Sequence, residues 1–178
     1  MDILTLPLGP LETNCYVVFE DGLCALIDPG AQPQKITDTL AERSLHESFP
    51  DVPIYVSAQD TDEMTNMSHG NLVYTETFLD GDEISVGPMV FHVLATPGHT
   101  LGSSCFVCGD VLFSGDTLFA GCCGRTDLPG GNQAQMMASL KRLGSLPGDY
   151  RVLPGHGEES TLEQERRTNY YMRGAMRV

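Results

Sequence analysis

The chain has 178 residues, enough for one domain with a real core and too few for two ordinary ones. Hydrophobic residues make up 41% and charged residues 19%, the balance of a folded chain and not of a disordered one. Lys plus Arg number 10 against 24 Asp plus Glu, and the net charge of −14 argues against a nucleic-acid backbone or an anionic lipid surface as partner.

The start, Met1-Asp2-Ile3-Leu4, has neither a basic segment nor a cleavage signal, and no apolar run approaches the ~18–20 residues of a membrane span. The expectation is a cytoplasmic protein whose six cysteines are thiols. Strands are predicted at Ile3–Leu6, Tyr16–Phe19 and Cys24–Ile27, with a tight turn at Glu20-Asp21-Gly22 between the last two. The run Cys24–Ile27 is continuously apolar, as in a strand buried on both faces. It ends in Asp28-Pro29-Gly30, a turn signal. A helix from about Pro33 and a strand Val52–Val56 complete a strand–helix–strand crossover, which implies a parallel pair.

Further strands are predicted at Thr75–Leu79, Glu83–Val86 and Met89–Ala95, then Ser104–Val107 and Val111–Ser114. Asn132–Leu143 suits an amphipathic helix with Met136, Met137, Leu140 and Leu143 on one face. Tyr150–Leu153 reads as a strand, and Ser160-Thr161-Leu162-Glu163 as a capping box opening a C-terminal helix. Sheets with helices outside, in both halves, predict a layered α/β sandwich over residues 1–178.

Three polar residues follow predicted strands in glycine-bearing turns: His99 in Thr-Pro-Gly-His-Thr, Asp116 in Ser-Gly-Asp-Thr and His156 in Pro-Gly-His-Gly. Asp28 in Asp-Pro-Gly is a fourth. Strand ends in such folds converge on one edge, where sites are built. Two imidazoles and a carboxylate suit zinc, iron or manganese, although each residue alone reads equally as a turn former or helix cap. Cys105, Cys108, Cys122 and Cys123 offer four thiolates, but adjacent cysteines chelate awkwardly and small apolar cysteine is ordinary strand packing. His46, His69 and His92 read as surface or half-buried residues, and the acidic residues as solvated surface.

Seven segments resemble the metallo-β-lactamase fold in order. They are Thr13–Val17, Leu26–Gly30, Thr96–Thr100, Phe113–Phe119, Gly124–Gly131, Leu153–Gly157 and Glu165–Asn169. The nearest resemblance is to the hydroxyacylglutathione hydrolase (glyoxalase-II-like) branch. It implies a four-layer αββα sandwich with a two-metal hydrolase edge acting on small thioesters or esters. His99 would bind one metal, His156 the other, and Asp116 would bridge them. Asp28 would support the site. Arg125, in the segment similar to the family's substrate-facing loop, would meet an anionic substrate or else form a structural turn with Asp127.

The family's signature Thr-His-x-His-x-Asp-His is missing, and no His-x-His occurs anywhere in the chain. It belongs between Asp28 and Val52, where 23 residues leave room for one helix but not for helix, strand, motif loop and second helix. At about 100° per residue, Ile36 and Leu40 lie near 0° and 40°, whereas Leu45 and Phe49 lie near 180° and 220°. Two opposed apolar stripes read as the start of one helix joined to the end of another, so a deletion near Ala41–Leu45 is expected. Three readings stay open: a hydrolase impaired by the loss, a non-catalytic remnant or binding module, and an incomplete chain.

Overall fold

The computed structural model describes residues 1–42, 52–61 and 72–177. It divides into two compact units, Met1–Val52 with Ser85–Val90, and Pro53–Ile84 with Phe91–Val178.

In the first unit, β1 (Asp2–Leu8), β2 (Thr13–Glu20) and β3 (Leu23–Ile27) form an antiparallel sheet with β2 in the middle. The central place explains why Cys15, Tyr16, Val17 and Val18 are all buried. Helix α1 (Pro33–Glu42) starts at a proline, whose fixed φ and missing N–H suit the first helical turn. Ile36 and Leu40, four apart and so on one face, pack on Leu6, Leu8, Cys15 and Val17. β3 is not buried on both faces as its apolar run suggested. It is an edge strand, and Leu23 and Leu26 stay 45% and 37% exposed. The expected seam at Ala41–Leu45 and the second stripe of Leu45 and Phe49 fall mostly or wholly outside the described residues, as do His46 and His69.

The second unit starts with β4 (Tyr55–Ser57), a 3-10 turn (Ala58–Thr61) and β5 (Glu76–Phe78). The crossover expectation needs correction here. β4 pairs in parallel with β5 in a two-stranded sheet, and among the described residues β3 pairs only with β2. Strands β6 (Glu83–Val86), β7 (Met89–Ala95), β8 (Ser104–Cys108) and β9 (Val111–Gly115) are followed by the short hairpin β10 (Leu118–Phe119) and β11 (Cys122–Cys123). After helix α2 (Gln133–Gly144) come β12 (Arg151–Pro154), β13 (Ser160–Thr161), and helices α3 (Leu162–Thr168) and α4 (Tyr170–Ala175). The main sheet has six strands in the order β13-β12-β9-β8-β7-β6.

Helix α2 is the crossover between β9 and β12, which pair in parallel. Its Met136, Leu140 and Leu143 are buried with Cys105, Leu112 and Val152 from the sheet and Leu162, Met172 and Ala175 from α3 and α4. Asn132 caps its N-terminus by accepting the Gln135 N–H. Arg166 closes its other end, donating to the carbonyls of Gly144, Leu146 and Gly148.

Two expectations about the C-terminus are corrected. The helix cap is Thr161, which accepts the Gln164 N–H, one residue later than the Ser160 box. Ser160 instead sits in β13, paired with Val152. The helix is broken in two at Asn169, whose side-chain oxygen takes the N–H groups of Tyr171 and Met172 and starts α4.

Candidate metal centre

Strand direction assembles the site. β8 is antiparallel to both β7 and β9, and β12 is parallel to β9, so β7, β9 and β12 all run the same way. His99, Asp116 and His156 lie just past the ends of these three strands and therefore leave the sheet at one edge. The register shift between Leu153 and Pro154 marks the same edge, where the Gly155 N–H donates to Gly115 O at 2.9 Å.

The three side chains meet. His99 Nε2 lies 3.4 Å from Asp116 Oδ2, and His156 Nε2 lies 3.7 Å from the same oxygen. The two nitrogens are thus within the sum of those distances of each other. Side-chain exposures of 17%, 28% and 34% for His99, Asp116 and His156 leave all three partly open to solvent.

Two glycines make this approach possible. A Cβ at Gly155 would collide with Asp116 Oδ1, and one at Gly124 would collide with the Asp116 carbonyl. Behind the edge, the Thr96 and Thr117 hydroxyls share a buried hydrogen bond of 2.9 Å that ties the His99 loop to the Asp116 loop. Thr96 Oγ1 also meets Cys105 Sγ at 3.2 Å, so Cys105 has a packing and hydrogen-bonding role.

His99 is oriented from behind. Its Nδ1 lies 2.9 Å from the Arg125 carbonyl, an oxygen that can only accept. Nδ1 therefore carries a proton, and Nε2 faces Asp116. A metal-bound histidine commonly has this backing. With bonds of about 2.0–2.2 Å, ligand atoms on a tetrahedral cation stand about 3.3–3.6 Å apart, close to the two separations here. The third separation, between the two imidazoles, is not fixed by these two, and among the described residues no group of three or more His, Cys, Asp or Glu is placed to hold a metal ion, so the cage stays open.

The other expected residues are placed as follows. Arg125 forms a two-bond ion pair with Asp127, at 2.6 and 2.7 Å. The Arg125 hydrogen bonds hold the Asp127 carboxyl down at about 2. The guanidinium is thus engaged in the turn, and it is the Arg125 carbonyl that touches His99. Asp28 lies in the first unit just past β3, with a left-handed φ of 55° that Asp tolerates better than most residues. Burial, with Asp28 adding to it, pushes the Cys15 thiol up to about 11. His92 is exposed and pairs with Glu83.

Sequence reasoning missed Phe119, whose ring stands edge-on to His156 with centroids 6.3 Å apart. It also missed Glu165. This residue is 0% exposed, which corrects the reading of the acidic residues as solvated surface. The only signal for it was the matching segment Glu165–Asn169.

A family model described as the metallo-beta-lactamase superfamily matches residues 37–156, two thirds of the chain, and the chain belongs to that superfamily. It has the superfamily's α/β fold. A probable metallo-hydrolase of Bacillus subtilis, YqgX, is 32% identical over 95% of this chain and 96% of its own. The hydroxyacylglutathione hydrolase of Citrobacter koseri is 35% identical over 76% of this chain, which covers 58% of that protein. Among solved structures, TTHA1623 in a di-iron-bound form matches with a TM-score of 0.81 at 32% identity, covering 94% of this chain and 99% of that one.

The Bacillus alignment runs over 203 residues, more than this chain contains. Since 95% of 178 is about 169, about 34 aligned positions face a gap in this chain. Among the described residues no helix is long and apolar enough to cross a membrane.

Proposed function

We propose that this chain is a hydrolase of small thioesters or esters whose turnover is held down by loss of the Thr-His-x-His-x-Asp-His element near Ala41–Leu45. The observation that carries the reading is the convergence of two imidazole Nε2 atoms on Asp116 Oδ2. The gapped positions, about 34 in total, are enough for a strand, a motif loop and part of a helix, and so are consistent with the loss of such a segment. The likeness to a hydroxyacylglutathione hydrolase supports the thioester class.

His99, Asp116 and His156 would hold zinc, iron or manganese. When bound, such a cation makes a water more acidic and polarises a carbonyl oxygen. The remaining roles belong to the chain itself. Asp116 is the carboxylate that both imidazoles face. Arg125 O holds the His99 ring in one tautomer, and the Thr96–Thr117 bond keeps the two loops in register. The Arg125 guanidinium meets the anionic end of a substrate by exchanging Asp127 for it. The second reading is a non-catalytic remnant or binding module, favoured by the open cage.

The test inserts a strand–loop–helix segment carrying Thr-His-x-His-x-Asp-His between Ala41 and Leu45. Both proteins are assayed on a glutathione thioester with and without zinc, and their metal content is measured. The insertion should give two metals per chain and turnover higher by orders of magnitude. The unaltered chain should bind zinc weakly and sub-stoichiometrically. Equal turnover, or activity in the unaltered chain that resists chelators, would overturn the proposal. No turnover in either protein would favour the binding module.

A further inference from the structure

Glu165 and Asn169 are both fully buried and lie one helical turn apart at the break between α3 and α4. Together they grip the β10–β11 hairpin. Glu165 Oε2 accepts the Gly121 N–H at 2.8 Å and the Asn169 side-chain amide at 2.8 Å. The same amide donates to Cys122 O at 2.9 Å and reaches Phe119 O at 3.4 Å. Among the described residues Glu165 Oε1 has no hydrogen-bond partner. A buried polar oxygen left so costs about 1–3 kcal/mol, which a leucine of similar size would not incur. Filling space does not call for a carboxylate here; gripping Gly121 does.

The gripped hairpin connects to both imidazoles. On its first strand, Phe119 stands edge-on to the His156 ring. Just past its second strand, Gly124 packs against the Asp116 carbonyl, and Arg125 O accepts a hydrogen bond from His99 Nδ1–H. The two strands pair as Leu118 with Cys123 and Phe119 with Cys122, so a shift at Gly121 or Cys122 moves both ends.

We infer that Glu165 and Asn169 are positioning residues which, through the β10–β11 hairpin, fix the orientation of His99 and His156. Neither touches the three converging side chains in the contacts described above. Their effect passes through Arg125 O to one ring and through Phe119 to the other. The inference rests on the proposed metal centre only where metal affinity is the readout.

The experiment uses the full chain with isotope-labelled histidine. In metal-free protein, long-range proton–nitrogen spectra report the tautomer of each ring. Wild-type His99 should read as the Nδ1-protonated form. Glu165→Ala removes the Gly121 acceptor. Asn169→Ser keeps an oxygen to cap α4 but loses the amide that holds the hairpin. Both should shift His99 toward a mixture of tautomers while His92, exposed and paired with Glu83, stays put. Glu165→Gln keeps one accepting oxygen and should retain the wild-type spectrum. Titrated with cobalt(II) alone, the first two variants should bind about 10–100-fold more weakly than wild type, and Glu165→Gln should match it.

Folded Glu165→Ala and Asn169→Ser proteins with an unchanged His99 signal would overturn the inference. So would their failure to fold, since the pair would then serve the fold and not the site. If wild type takes up no cobalt, the metal-centre reading fails, and the His99 spectra still decide this one.

Discussion

Replacing Gly155 by alanine separates the site from the fold. The added Cβ would collide with Asp116 Oδ1 and stand 3.1 and 3.3 Å from the Gly115 carbonyl carbon and oxygen. Gly155 does not have a left-handed φ, so alanine brings no backbone strain. The cost is overpacking, about 1–3 kcal/mol in general. It falls at the low end here, because the worst contact is the end of a side chain that can swing away. About 1 kcal/mol corresponds to a fall of about 2–4 °C in Tm for a chain of this size. Swinging the carboxylate, however, carries Oδ2 away from both imidazoles, which share it. Cobalt(II) affinity should then drop about 10–100-fold, with tenfold equal to about 1.4 kcal/mol. Visible absorption during a cobalt titration and a thermal melt by circular dichroism give the two numbers. Gly174→Ala, where the nearest atom is Met137 Cε at 3.6 Å, should leave cobalt binding alone. A Gly155→Ala protein that melts a few degrees lower and binds cobalt like wild type would refute the reasoning that Asp116 Oδ2 is the centre of the site.

Asp80 bonds to Arg142 at 2.7 Å, and this holds its carboxyl below the usual range. A depressed pKa gives stability that is present above the unfolded value of about 3.9 and lost as pH falls through the lower folded value. Asp80→Asn should therefore be less stable at pH 6, by under about 1 kcal/mol because the pair is half-exposed, and the difference should close below about pH 4 in urea titrations. A difference that stays constant with pH would sink this. Arg166→Met leaves three carbonyls at and just past the end of α2 without their charged donor and should cost about 3 kcal/mol, or about 6–12 °C in Tm. A loss under about 1 kcal/mol would mean that water replaces the guanidinium at no expense.

Where local chemistry decides the outcome, the sequence is legible. Glu83–Val86 and Met89–Ala95 coincide with the observed strands, because alternation and the turns around Gly81 and Gly87 set their limits locally. The convergence of His99, Asp116 and His156 could be anticipated because each follows a strand in a glycine turn. The apolar run Cys24–Ile27 misled because burial belongs to a strand's neighbours and not to its composition, and β3 has a partner on one side only. Ser160 and Thr161 are both cap-forming residues in β13, and the cap falls to Thr161 because the helix starts at Leu162, immediately after it. Glu165 was out of reach for a related reason. A charged residue on a polar helix reads as solvent-facing, and only the hairpin laid over it turns it inward.

The exposed side of β3 bears on how the protein behaves in concentrated solution. Leu23 and Leu26 lie on a strand whose second edge carries no strand partner among the described residues, and such edges invite pairing between copies. What keeps the copies apart is long-range repulsion, since each carries a net charge of −14. The two effects respond differently to solvent. Salt shortens the reach of the repulsion to about 8 Å at physiological strength, and acid removes it by protonating the carboxylates, while neither makes the leucines less sticky. The expected outcome of concentrating the chain in acid or in high salt is therefore a rise in light scattering as copies associate, while dilute, low-salt solution at neutral pH keeps them dispersed.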